Sequence, residues 1–143
     1  MLIETILDMK GHDVAKLRPE RRVSAAIALM AERRIGAVVI EDRGRVVGIF
    51  SERDLVKLLA REAHAALDST LSSAMTSPVI TCRKEDRLDQ VLAVMSQRNV
   101  RHLPVMEGES MCGIVSIRDL VRHRLQEKEL EAATLLDISR MQG

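Results

Sequence analysis

The chain of 143 residues has no tryptophan and no tyrosine, and Phe50 is its single aromatic side chain. Single-stranded nucleic acid is held by stacking its bases on aromatic platforms, and those are missing. A basic excess is missing too: 22 lysines and arginines stand against 21 acids, for a formal net charge of +1. Duplex binding draws on clustered positive charge, so nucleic acid is not expected as a partner. The two cysteines, Cys82 and Cys112, form no CxxC pair. That suits small apolar core residues better than a disulfide frame. His12, His64, His102 and His123 show no metal-ligand spacing, and no metal is expected. A phosphate loop, a GxGxxG turn and a nucleophile elbow are all absent, so an enzyme is not expected. No apolar run approaches the length of a membrane span, and the first residues lack the basic start of a signal peptide. A cytoplasmic location without a membrane partner is expected.

What is present is a repeat. Apolar residues make up 46% and charged residues 30% of the chain, enough for a core under a solvated surface. Sliding the sequence by 65 aligns His12 to Ala60 with Ser77 to Leu125 without a gap, and 14 of 49 positions are identical. The strongest segment is Gly48-Ile49-Phe50-Ser51-Glu52-Arg53-Asp54-Leu55-Val56, which returns as Gly113-Ile114-Val115-Ser116-Ile117-Arg118-Asp119-Leu120-Val121.

Each copy reads β-α-β-β-α. A short extended piece (Val14-Ala15; Val79-Ile80) precedes an amphipathic helix. In that helix Val23, Ala26, Ile27 and Met30, or Leu88, Val91, Leu92 and Met95, recur at helical spacing. Two apolar strands follow, Ala37–Ile40 with Val46–Phe50 and Leu103–Met106 with Cys112–Val115. They are split by the turns Glu41-Asp42-Arg43-Gly44 and Glu107-Gly108-Glu109-Ser110. A second helix opens at Ser51 or Ser116, a good N-cap residue, with an acid three positions on. About 50 residues make a marginal domain. The expectation is therefore an α/β fold of two tandem motifs whose sheets pack together about a pseudo-two-fold axis. The boundaries are 1–62 for the first motif with its N-terminal helix, 63–74 for a linker with a short helical turn, 75–125 for the second motif, and 126–143 for a C-terminal helical tail.

A Gly-x-x-Ser-x-Arg-Asp segment at a strand-to-helix junction offers definite chemistry. Glycine permits close backbone approach. The N–H groups at the start of the helix favour an anion. Serine can donate to a phosphate or ribose oxygen, and arginine adds a forked donor for phosphate. An aspartate one turn on can accept from vicinal hydroxyls, the division of labour found in nucleotide sites. The same serine and aspartate would also serve simply as a helix cap.

The two segments resemble the CBS-domain family, whose pattern is glycine, apolar residues, Ser/Thr, two residues, then aspartate. Arg101-His102-Leu103-Pro104-Val105, Met75-Thr76-Ser77-Pro78-Val79 and Lys10-Gly11-His12-Asp13-Val14 support the likeness, which covers nearly the whole chain. It is closest to small bacterial proteins made of one such pair. The resemblance implies a non-catalytic sensor that binds an adenine nucleotide (AMP, ADP, ATP or NAD) in clefts between the motifs and pairs as a homodimer. One cleft would use Ser51, Arg53 and Asp54 with Thr76, Pro78, Val79, Ile80 and Val100. The other would use Ser116, Arg118 and Asp119 with Lys10, Gly11, Val14, Ile35 and Gly36, and His102 would face phosphate. Because Gly36-Ala37 in one copy become Arg101-His102 in the other, the clefts are expected to differ. The Asp119 cleft, with His102 and Lys10 nearby, is expected to hold the more anionic ligand more tightly. The alternatives are an S-adenosylmethionine sensor and a dimerisation module with no nucleotide. The effector protein is left open.

Overall fold

The 65-residue offset survives in space residue by residue. The structure, a computed structural model, describes residues 1–142; Gly143, the end of the expected tail, lies outside the described residues. In chain order the elements are α1 (Ile3–Lys10), β1 (Lys16–Leu17), α2 (Val23–Arg33), β2 (Ala37–Asp42), β3 (Arg45–Ser51) and α3 (Glu52–Glu62). A 3-10 helix (Ala63–Asp68) and α4 (Leu71–Ala74) follow, then β4 (Cys82–Arg83), α5 (Leu88–Arg98), β5 (His102–Glu107), β6 (Ser110–Ser116) and α6 (Ile117–Gln142). The sheets are ordered β1-β2-β3 and β4-β5-β6, each with a parallel first pair and an antiparallel hairpin. Even the register shift recurs, between Ile40 and Glu41 and again between Val105 and Met106.

Local chemistry explains the ends of these elements. The expected four-residue turn at Glu41–Gly44 narrows to Arg43-Gly44, because Glu41 and Asp42 pair with Val46 and Arg45. Both turn residues have positive φ, 52° and 79°, as a tight hairpin matching strand twist demands. Helices α2 and α5 stop at Arg34 and Asn99, both left-handed, whose N–H groups bond back to Met30 O and Met95 O.

The entry strands fall two to three residues later than expected, at Lys16–Leu17 and Cys82–Arg83 rather than Val14-Ala15 and Val79-Ile80. They also differ from each other. In the first half the Val39 N–H donates to Ala15 O at 3.0 Å, and Lys16 pairs with Val39. The equivalent of Val39 is Pro104, which has no N–H to give. Pairing in the second half therefore begins one step later, with Cys82 opposite Val105.

The lead-in helices cross over. Ile3, Ile6 and Leu7 of α1, expected to belong with the first motif, are buried in the second half's core with Leu88, Val91, Met95, Leu103, Val115 and Leu120. Ile3 N donates to Asp86 O at 2.9 Å, and Leu88 N to Met1 O at 3.0 Å. Symmetrically, Ala66 and Leu71 from the expected linker sit in the first core beside Val23, Met30, Ile40 and Phe50. There Leu71 N donates to Arg21 O at 2.8 Å and Val23 N to Ser69 O at 2.9 Å. From residues 63–74, Ala66 and Leu71 thus enter the first core. Each half completes its apolar core with a segment that a 50-residue motif alone would lack.

The tail is helical as expected, but it is the far end of α6, a single helix of 26 residues. Its Leu130, Leu135, Leu136 and Met141 are exposed. No helix among the described residues is long and apolar enough to cross a membrane.

Candidate functional site

Both strand-to-helix junctions carry the reciprocal cap the sequence offers. Ser51 N donates to Asp54 Oδ2 at 2.9 Å while Asp54 N donates to Ser51 Oγ at 3.3 Å. At the second junction Ser116 N donates to Asp119 Oδ2 at 3.0 Å and Asp119 N to Ser116 Oγ at 3.1 Å. The caps satisfy orphan helix N–H groups, so any ligand role for the aspartates rests on what else they face. That is where the junctions part.

Asp54 faces a cleft of about 350 Å³ lined by Ser51, Glu52, Arg53, Lys57, Thr76, Arg98, Val100, Arg101 and His102, with Gly36, Ile49 and Asn99 completing the wall. The cleft brings together five of the eight residues expected there: Ser51, Arg53, Asp54, Thr76 and Val100. Thr76 is fixed by two-way backbone pairing with Ile49 (3.1 and 2.8 Å), and its hydroxyl donates to Asp54 Oδ1 at 2.7 Å. The remaining three lie elsewhere. Pro78 and Val79 line a separate, more open cavity of about 620 Å³ with Arg45, Val47 and Thr81. Ile80 packs on the second core.

Of the expected second set, Lys10, Ser116 and Asp119 meet at one junction and the others lie elsewhere. None of the three principal cavities is lined by Ser116, Arg118 or Asp119. Val14 and Ile35 line a cavity with Asp13, Ala15 and Arg33, and Gly11 is the exposed C-cap of α1. Lys10, on the last turn of α1, reaches Asp119: its Nζ lies 2.6 Å from Asp119 Oδ2 and donates to Ile114 O at 2.9 Å. Burial would raise the Asp119 pKa, but the hydrogen bonds from Lys10 and Ser116 and the lysine's charge outweigh it and hold the carboxyl below its usual value.

His102 and Gly36, expected at the Asp119 cleft, line the Asp54 cleft, while His102 also pairs with Ser116 across the β5–β6 hairpin and feels the charges of Lys10 and Asp119. A Cβ on Gly36 would lie 3.3 Å from His102 Nε2, a tight contact, and 3.5 Å from Glu52 Oε1, an ordinary one, so His102 packs closely over this glycine. Burial pushes the His102 pKa below the ordinary histidine value against the pull of the Glu52 carboxylate. Burial thus favours the neutral form of the imidazole.

The sequence reading missed Glu52, Lys57, Arg98, Asn99 and Arg101 as cleft residues. Arg98 was visible as a repeat identity with Arg33, but nothing local says that the end of α5 closes on α3. The contact that does so is Arg53, whose guanidinium donates to Asn99 O at 2.7 Å. Four cationic side chains (Arg53, Lys57, Arg98, Arg101) thus face two carboxylates (Glu52, Asp54) in one groove. Such a groove can accept from hydroxyls at one end and attract an anion along the rest.

The CBS domain model matches this chain twice, at residues 7–61 and 71–126. The chain belongs to the CBS-domain family. It carries two CBS motifs in tandem. A CBS-domain-containing protein from Agrobacterium tumefaciens is 40% identical, with a TM-score of 0.83 over 86% of this chain and 92% of that one. The CBS domain pair of protein MJ0100, solved in complex with 5′-methylthioadenosine and S-adenosyl-L-methionine, is 26% identical. Its TM-score is 0.79 over 89% of this chain and 98% of that one. An uncharacterized 33.4 kDa protein in a ribosomal RNA operon of Thermofilum pendens is 42% identical over 131 residues. The match covers 90% of this chain and 42% of that relative's length.

Proposed function

We propose that this CBS pair is a non-catalytic sensor that binds an adenine nucleotide (AMP, ADP, ATP or NAD) in the Asp54 cleft. One observation carries the reading: Ser51 and Asp54 share a single groove with Arg53, Lys57, Arg98, Arg101 and His102. Asp54 accepts from ribose hydroxyls, taking over the place of the neutral Thr76 donor. The arginines and the lysine hold phosphate, where charge-assisted bonds are about twice as strong as neutral ones. The adenosyl ligands of the MJ0100 pair support the ribose half of the assignment. The cationic lining favours phosphates over the sulfonium of S-adenosylmethionine.

The ligand spans α3 of one motif and the α5–β5 junction of the other, so it can change the angle between halves. Any such signal is a population shift set by the ligand's preference for one arrangement. Exposed Val56 and Leu59 on α3 and Val121 and Leu125 on α6 suit pairing with a second copy as a homodimer.

Thermal unfolding with AMP, ATP, NAD and S-adenosylmethionine tests the reading. A ligand at 100 times its dissociation constant stabilises by about 2.7 kcal/mol. The expected result is a rise in Tm with a phosphate-bearing ligand. A rise with S-adenosylmethionine alone would keep the adenosyl site and overturn the anion reading. No rise with any ligand would favour a dimerisation module.

A further inference from the structure

We propose that Lys10 is a built-in occupant of the second cleft, so that the chain takes up one nucleotide, at Asp54, and the Asp119 position stays closed. The inference rests on the nucleotide reading of the Asp54 cleft and adds the stoichiometry. The two CBS motifs place equivalent aspartates and equivalent isoleucine backbones at their junctions, but the crossing lead-in segment meets them differently. At the first junction Ile49 is paired with the Thr76 backbone in both directions, and only a hydroxyl reaches Asp54. At the second, the Ile114 carbonyl and the Asp119 carboxylate are both bound by one ammonium, at 2.9 and 2.6 Å. A ligand hydroxyl that displaces Thr76 exchanges one neutral donor for another. At Asp119 it would have to replace a charge-assisted bond with a neutral one and strip a partly buried carboxylate, 17% exposed, of its counter-charge.

Burial reinforces the point. Lys10 keeps only 29% of its side-chain exposure, although it ends a surface helix. Its reach is set by α1, which the burial of Ile3, Ile6 and Leu7 anchors in the second core. The ammonium is delivered to Asp119 by the fold and does not arrive as a mobile surface charge.

Calorimetric titration of the full chain with AMP and with ATP tests this, alongside Lys10→Gln and Lys10→Met variants whose folding is checked by circular dichroism. The wild type should bind one equivalent per chain, and each variant should show a second equivalent. Two equivalents in the wild type, or one in both variants, would overturn the inference while leaving the nucleotide reading intact. No binding by any of the proteins would overturn that reading and this inference with it. Backbone amide shifts of the wild type supply a measurement free of substitutions. Added ATP should move the Ser51 and Asp54 amides and leave those of Ser116 and Asp119 in place; saturable shifts at both junctions would refute a closed second cleft.

Discussion

The two halves of this CBS pair share their hairpin register, their bulge, their left-handed helix ends and their capping boxes. Most of their aligned side chains differ, and a few of those differences bear on what each junction can do. Gly36, the counterpart of Arg101, lets His102 pack closely at one wall. Val39 opposite Pro104 shifts an entry strand. Thr76 offers a hydroxyl where the other lead-in offers the Lys10 ammonium. Leu58, buried in the first half, is matched in the second by buried His123, whose Nδ1 has no hydrogen-bond partner. Duplication supplied the frame twice; local substitution left one carboxylate facing a groove and paired the other.

The sharpest way to break the comparison is to weaken one half and ask whether the other follows. Because α1 and α4 cross between cores, Phe50→Ala should remove about 3–5 kcal/mol, the usual cost for a buried phenylalanine. The loss should appear as an earlier but still single urea transition followed by circular dichroism. A separate second transition would show that the halves fold independently. A smaller effect of opposite sign is expected at the matched position in the second half. His123→Leu restores the residue the first half uses and removes an unpaired buried nitrogen, so stability should rise by about 1 kcal/mol. A fall of that size would show that the histidine is satisfied by solvent.

Acid should separate the two junctions by where it acts. His102 has a lowered folded-state pKa, so the unfolded chain binds protons more readily near its ordinary value of about 6.5. The contribution is complete above that value and is lost as pH falls through the window below it. Asp119, also lowered, contributes fully above the ordinary carboxylate value of about 3.9. That part is lost only as pH falls through its folded-state value. Urea midpoints measured from pH 8 to pH 3 should show the first step flattened in His102→Gln and the second in Asp119→Asn. These are the smallest effects expected, each below about 1 kcal/mol for partly exposed groups.

Much of this was legible in the residues alone. Period and repeat identify both hairpins, both amphipathic helices and the Ser–Asp caps, because each depends on neighbours within four positions or on the register of one hairpin. Several features could not be read locally. The crossover of α1 depends on which core Ile3, Ile6 and Leu7 enter, and its pairing with α4 follows a different offset from the 65-residue repeat. The Lys10–Asp119 pair spans 109 positions. His102 was recognised as a site residue beside Asp119 and Lys10, whose charges do act on it, but its place in the lining of the Asp54 cleft was not read. Its contact with Gly36 runs across the boundary between motifs. The later start of β4 could have been anticipated from Pro104, since a central strand cannot spare that N–H.

The central claim is that the two equivalent aspartates have unequal roles, and matched carboxamides test it most directly. Dissociation constants for ATP measured by calorimetry on Asp54→Asn and Asp119→Asn, beside the parent chain, should rise at least tenfold for the first. That is the low end for a hydrogen bond to a charged group. The second should change by less than about threefold, an effect below 1 kcal/mol. Equal losses in both variants, or a larger loss at Asp119, would contradict the account.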